Sequence, residues 1–228
     1  MITGIKKIIN ELGAINASTY FVHRALGAIN RRCSFNGYYL VTQPVNDKAL
    51  LPPRRGAKID IKRIEKDDPL VTEFTRPKTE IEARYNRNAV CFAALKAGHM
   101  VGFIWIIPGP YSETEDRCVM VPDPAGSTAW DCDVFVSPEE RLGFTFPKLW
   151  DAANEWLRNN SYNWVASRIS AYNPNSVASH KRLGACVVGR AYFLNIGTPQ
   201  LLLCSVAPYI HLSLRKKSLP TILVAPPS

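Results

Sequence analysis

Several things are missing from this chain of 228 residues, and each absence closes a door. No apolar run reaches about 18 residues, so no segment reads as a membrane-spanning helix. Lys6 and Lys7 are followed by Glu11 where a signal peptide would need its apolar core, so no signal peptide is expected. There is no Cys-x-x-Cys pair. The six cysteines (Cys33, Cys91, Cys118, Cys132, Cys186 and Cys204) are scattered, several of them inside apolar runs, and have no histidine at metal spacing. Reduced, buried thiols in a cytoplasmic protein are the expectation, with no metal site and no disulfide framework. No internal repeat and no nucleic-acid reader motif is visible.

Acidic residues are missing in a patterned way. The net charge is +9. Residues 1–60 carry nine Lys/Arg and three Asp/Glu, whereas residues 61–210 carry sixteen of each. Residues 211–228 hold Arg215, Lys216 and Lys217 and no acid. The basicity belongs to the two ends. Solvated basic termini are the plain reading, with weak contact to an anionic membrane as a further expectation and no nucleic-acid partner expected.

What is present reads as a helix-covered sheet. Residues 4–30 show two apolar helical faces, with Gly13 placed to break them. `GYYLVTQPV` (37–45) reads as a strand, and `ALLPPRRGA` reads as a linker. A short strand follows over 58–64, then a helix after Pro77 with Ile81 and Tyr85 one turn apart. `AVCFAAL` and `MVGFIWII` flank `KAGH` as a hairpin. Residues 108–128 are expected to be mostly loop with one short strand near Val119, and `AWDCDVFVS` is again a strand. The helix 146–158 places Leu149, Trp150, Ala153, Trp156 and Leu157 on one stripe. Trp105, Trp130, Trp150 and Trp156 read as core. After the strand `WVASRIS` and a further helix come two long strands, 185–196 and 201–214, and a tail expected to be loose. The class is α/β (α+β), a mostly antiparallel mixed sheet flanked by helices. The expected division is an N-terminal extension over 1–56, a main domain over 57–214 and a basic tail over 215–228.

Within `SAYNPNSVASHKRLGA`, Asn173 is a good N-cap, Pro174 suits the first helical position and Gly184 suits the left-handed residue past the end. A helix of about three turns is therefore expected, with His180 on an exposed face. Upstream, Asp131 and Asp133 in `WDCDVFV` are expected on one face of their strand, because strand side chains alternate.

`NPNSVASHKRLGA` resembles the last ligand-binding motif of the GNAT acyltransferase superfamily, and the spacing from Asn173 to Gly184 fits without a gap. `VFVSPEERLGFTFPKLW` resembles that superfamily's strand–loop–helix for coenzyme A. There, backbone amides at a helix start hold the pyrophosphate. Phe144 and Phe146 stand where the family loop has small residues, and Gly143 comes one place early, so the loop is a variant. The resemblance implies a GNAT-like domain that binds acetyl-CoA or another acyl-CoA and acylates a small-molecule or peptide amine, with a homodimer also in keeping. It implies that Phe135, Val136, Arg141, Leu142, Gly143, Phe144 and Thr145 form the coenzyme cradle. Asn173 and Ser176 would line the pantetheine. Asp131 or Asp133 would be the general base, and His180 or Tyr172 the acid. Residue by residue, plainer readings stand beside these: solvent-facing aspartates, a packing Tyr172, a satisfied His180 and a solvated Lys181–Arg182 face. Two other functions are also in keeping: acylation of a longer-chain, sugar or lipid amine at a membrane, or a non-catalytic GNAT-like binding module.

Overall fold

The computed structural model describes residues 2–113 and 115–227, with the side chains of residues 2 and 3 excepted. In chain order the elements are α1 (Ile2–Ile29), β1 (Cys33–Pro44), β2 (Asp60–Ile64), α2 (Lys78–Tyr85), β3 (Val90–Lys96), β4 (His99–Ile107), β5 (Tyr111–Glu113), β6 (Cys118–Pro122), β7 (Thr128–Val136), α3 (Thr145–Asn159), β8 (Trp164–Ser170), α4 (Pro174–Arg182), β9 (Cys186–Ile196), β10 (Gln200–Cys204), β11 (Ile210–Ser213) and β12 (Thr221–Val224). The architecture is the expected mixed α/β class, a mostly antiparallel sheet with helices on it. Among the described residues no helix is long and apolar enough to cross a membrane. The chain forms two compact units: unit 1 is residues 1–43, 110–123 and 166–228, and unit 2 is residues 44–109 and 124–165.

Unit 2 is built on the antiparallel strands β7-β4-β3-β2. The apolar runs `VCFAALK` and `HMVGFIWII` form the expected hairpin, and Phe103, Ile104, Trp105, Ile106 and Ile107 are buried. α3 packs on β3 and β4 through Leu149, Trp150, Ala153 and Leu157, the stripe legible in its sequence. Fully burying such side chains contributes about 1.5–3 kcal/mol each. Trp156 differs from the core expectation: it is partly exposed and stacks on Tyr162. Gly102 sits where a Cβ would meet the Phe135 carbonyl oxygen at 2.8 Å, so β4 and β7 can approach this closely only at a glycine.

Unit 1 has the strand order β11-β10-β9-β1-β8, with β8 beginning in the last residues of unit 2. Leu40, Ala191, Phe193 and Leu202 are its buried apolar centre. α1 is kinked at Gly13 (φ 77°, ψ 161°), as its sequence suggests. Three expectations are corrected here. Residues 201–214 are not one strand: a turn over 205–209 folds β11 back antiparallel on β10. The segment 108–128 holds two paired strands, β5 and β6, rather than one. The tail is not loose, because Thr221–Val224 pairs in parallel with β6, burying Ile222 and Val224.

One carboxylate organises the polar interior of unit 1. Asp116 is fully buried and accepts from Tyr38 Oη (2.6 Å), Asn195 Nδ2 (2.7 Å) and Asn36 Nδ2 (3.0 Å). Arg168 pairs with Asp116 at 3.5 Å and with Glu113 at 3.0 Å, and its guanidinium lies 4.0 Å from the Tyr38 ring centre. Without such partners a buried charge would be costly.

Candidate functional site

The two sequence motifs fall in different units. In unit 2, β7 runs into a loop and then into α3. The pairing of β7 with β4 slips between Asp131 and Asp133: Asp133 faces Trp105 and Asp131 faces Ile106. This bulge leaves Cys132 out of the ladder and shifts the alternation by one. The two aspartates therefore point to opposite faces, not to one face as simple alternation requires.

Their environments differ accordingly. Asp133 lies on the face of α2 and is clamped by two guanidinium groups: Arg76 Nε and Nη2 each donate at 2.9 Å and Arg84 Nη1 at 2.8 Å. Arg84 is itself buried, rests over the Trp105 ring and pairs with Glu80. Asp131 is 4% exposed and follows the Ile106 face, the face on which Gly102 meets Thr145 and Leu149 of α3.

The loop after β7 makes a 3-10 turn at Pro138–Glu140 before α3 begins. Arg141 Nε donates to the Val136 carbonyl at 3.2 Å, and Glu140 pairs with Lys96. The Gly143 amide is spent on the Glu140 carbonyl (3.0 Å). No backbone acceptor serves the amides of Leu142, Phe144 or Thr145 among the described residues. Phe144 precedes α3 and provides no side-chain cap, so the helix start keeps its donors and its positive end. The two phenylalanines of the variant loop have places of their own. The Arg55 guanidinium lies 5.7 Å from the Phe144 ring centre, and Phe146 packs edge-on against Trp150. Leu142 is fully exposed. Phe135 and Val136 are half-buried at the end of β7. Thr145 is buried with its hydroxyl oxygen unpartnered. Three amides, an uncapped helix and Arg141 suit a phosphate.

In unit 1, α4 is capped as its sequence requires. Asn173 Oδ1 accepts from the Ser176 amide at 3.1 Å, Pro174 opens the helix, and Gly184 takes φ 90° past its end. His180 is not on the outer face: it is 4% exposed, and its Nδ1–H donates to the Ser176 carbonyl at 2.8 Å. Tyr172 donates its hydroxyl to the Phe35 carbonyl (3.0 Å) and packs against Tyr20 and His23. Burial raises its pKa, so it holds its proton. Sequence reasoning missed Arg76 and Arg84, because only the bulge and the fold of α2 bring them to Asp133.

No family model matches the chain, and no curated protein does. Solved structures are similar in fold. One is a functionally unknown conserved protein from Staphylococcus epidermidis, at 15% identity and TM-score 0.50, covering 75% of this chain and 67% of that one. Another is a tandem GNAT protein from the clavulanic acid biosynthesis pathway, at 17% identity and TM-score 0.48 over 76% of this chain. The chain spans 57% of that protein's length. A third is an aminoglycoside N-acetyltransferase in complex with CoA, at 20% identity and TM-score 0.44, covering 59% of this chain and 91% of that one. The order β7, loop, α3, β8, α4 is the strand, loop, helix, strand and helix expected from the sequence of these segments.

Proposed function

We propose that the chain is an acyl-CoA-dependent N-acyltransferase that moves an acyl group, acetyl in the simplest case, onto a primary amine. The observation that carries this reading is the α3 start, an uncapped helix with three unserved loop amides and Arg141 beside it. The similar structures of acetyltransferases are consistent with it.

A thioester brings an already activated acyl carbonyl, so the chain needs only to hold, orient and move protons. Arg141 and the amides of Leu142, Phe144 and Thr145 hold the pyrophosphate. Phe135 and Val136, half-buried at the end of β7, run along the coenzyme arm. Of the two aspartates, Asp133 is held as a structural ion pair by Arg76 and Arg84, and Asp131, on the face of α3, is assigned the general base. The amine's proton passes to Asp131, its nitrogen forms the amide bond, and the C–S bond breaks with its electron pair leaving on the coenzyme thiolate, which takes a proton from solvent.

Thermal stability measured with acetyl-CoA and longer acyl-CoAs tests the reading, since a ligand bound by the folded state stabilises it by mass action. An upward shift in Tm is expected, and it should be lost in Arg141→Glu. No shift at millimolar ligand overturns it.

A further inference from the structure

The outer β-strands of unit 1 have one covered face and one open apolar face. On one face Phe193 and Leu202 are fully buried and Ser213 is covered. On the other the register aligns Tyr192 with Leu203 and Ile210, and Leu194 with Leu201 and Leu212. That second face is open. Leu203 is 41% exposed, Ile210 69% and Leu212 57%, and Tyr209 and Leu214, which flank β11, are 63% each. β11 is moreover the last strand in the order, so its outer edge is unpaired. A long apolar edge left bare invites association, and proteins usually charge or cover it.

The charge beside this face has one sign. From residue 156 to the end the sequence has no Asp or Glu, and it holds eight Lys/Arg. Arg215, Lys216 and Lys217 follow Leu214 directly and are exposed. They lie between β11 and the paired β12, so they are anchored at both ends. None of the three pairs with a carboxylate among the described residues. A groove of about 370 Å³ at the end of the face is lined by Arg190, Tyr192, Leu203, Tyr209 and Ile210.

We propose that this face docks on an anionic lipid bilayer: Tyr209, Ile210, Leu212 and Leu214 enter the interfacial region while Arg215, Lys216, Lys217 and Arg190 meet lipid phosphates. Apolar insertion combined with a basic cluster is the general recipe for reversible attachment to a charged membrane surface. A second copy would bring an equally cationic face and be repelled. Nucleic acid would match the charge, but its bases stack on rings, and Leu203, Ile210, Leu212 and Leu214 make this surface mainly aliphatic beside Tyr192 and Tyr209. The proposal stands whether or not the chain transfers acyl groups.

Sedimentation of the full chain with phosphatidylcholine–phosphatidylserine vesicles, against phosphatidylcholine alone, tests it. Binding is expected only to the serine-containing vesicles and should weaken as salt rises. Neutralising Arg215, Lys216 and Lys217 together to Gln should weaken it roughly a hundredfold. Ile210→Thr with Leu212→Thr should weaken it roughly tenfold or more. Both sets change exposed side chains, so an unchanged Tm verifies the fold. Absence of binding, equal binding to both vesicles, or binding unchanged in both variants overturns the proposal. So does a dimer that Ile210→Thr with Leu212→Thr dissociates, or nucleic acid binding that competes with vesicles.

Discussion

Unit 1 carries thirteen Lys/Arg against five Asp/Glu, while unit 2 carries fifteen against fourteen. Each also holds one carboxylate under several donors, and the two are built differently. Asp116 of unit 1 sits under two amides, a phenol and one guanidinium. Asp133 of unit 2 is held by two guanidinium groups. Unit 2 balances its charge internally and covers its apolar strands with α3. Unit 1 keeps a large surplus of positive charge and leaves part of its sheet bare. The difference teaches that the net charge of this chain concerns what unit 1 meets, not how the fold is held, since surface charge governs association more than architecture.

Experiments can break that comparison, and the largest effect is expected within unit 2. Asp131→Asn should lower kcat for amine acylation by roughly a hundredfold or more, the usual range for a lost general base, while coenzyme-induced stabilisation persists. Asp133→Asn should do the reverse, costing about 3 kcal/mol in denaturant titration because Arg84 is left buried and under-paired, while sparing kcat. Equal kinetic losses in both would show that the bulge does not separate their roles.

In unit 1 the corresponding probe is Tyr38→Phe, which removes the 2.6 Å hydrogen bond to Asp116 and should cost about 1–3 kcal/mol. Tyr38 also makes unit 1 sensitive to alkali. Burial raises its pKa most, Arg168 acts against this, and Asp116 adds to it. The folded value lies above the unfolded value of about 10, so its contribution is complete below that pH and is lost as pH rises. Stability of the native chain should fall above about pH 10, and Tyr38→Phe should flatten that fall in part, since Tyr85 and Tyr172 are raised in the same direction. The smallest expected effect is Asn173→Ala, about 1 kcal/mol from the lost cap of α4, read as a lowered Tm.

Much of this was legible before any coordinates. The α3 stripe, the 90–107 hairpin, the Gly13 break and the α4 caps are local patterns, and local patterns survive folding. His180 was misplaced because a nine-residue helix offers few apolar positions to mark its buried side. Residues 221–224 read as loose because a strand buried by parallel pairing at long range leaves no period in a proline-flanked segment.

By itself, then, the sequence determined the helices, their caps, most strands and the two motifs, because each depends on neighbours a few residues away. Tertiary structure decided the rest. A single slipped pair in β7 sent Asp131 and Asp133 to opposite faces, and it brought Arg76 and Arg84 from more than forty residues away onto one of them. The open, basic-flanked sheet face of unit 1 was likewise decided by strand order. Whether an apolar side chain is buried or bare depends on which element packs over it, and adjacent residues do not carry that information.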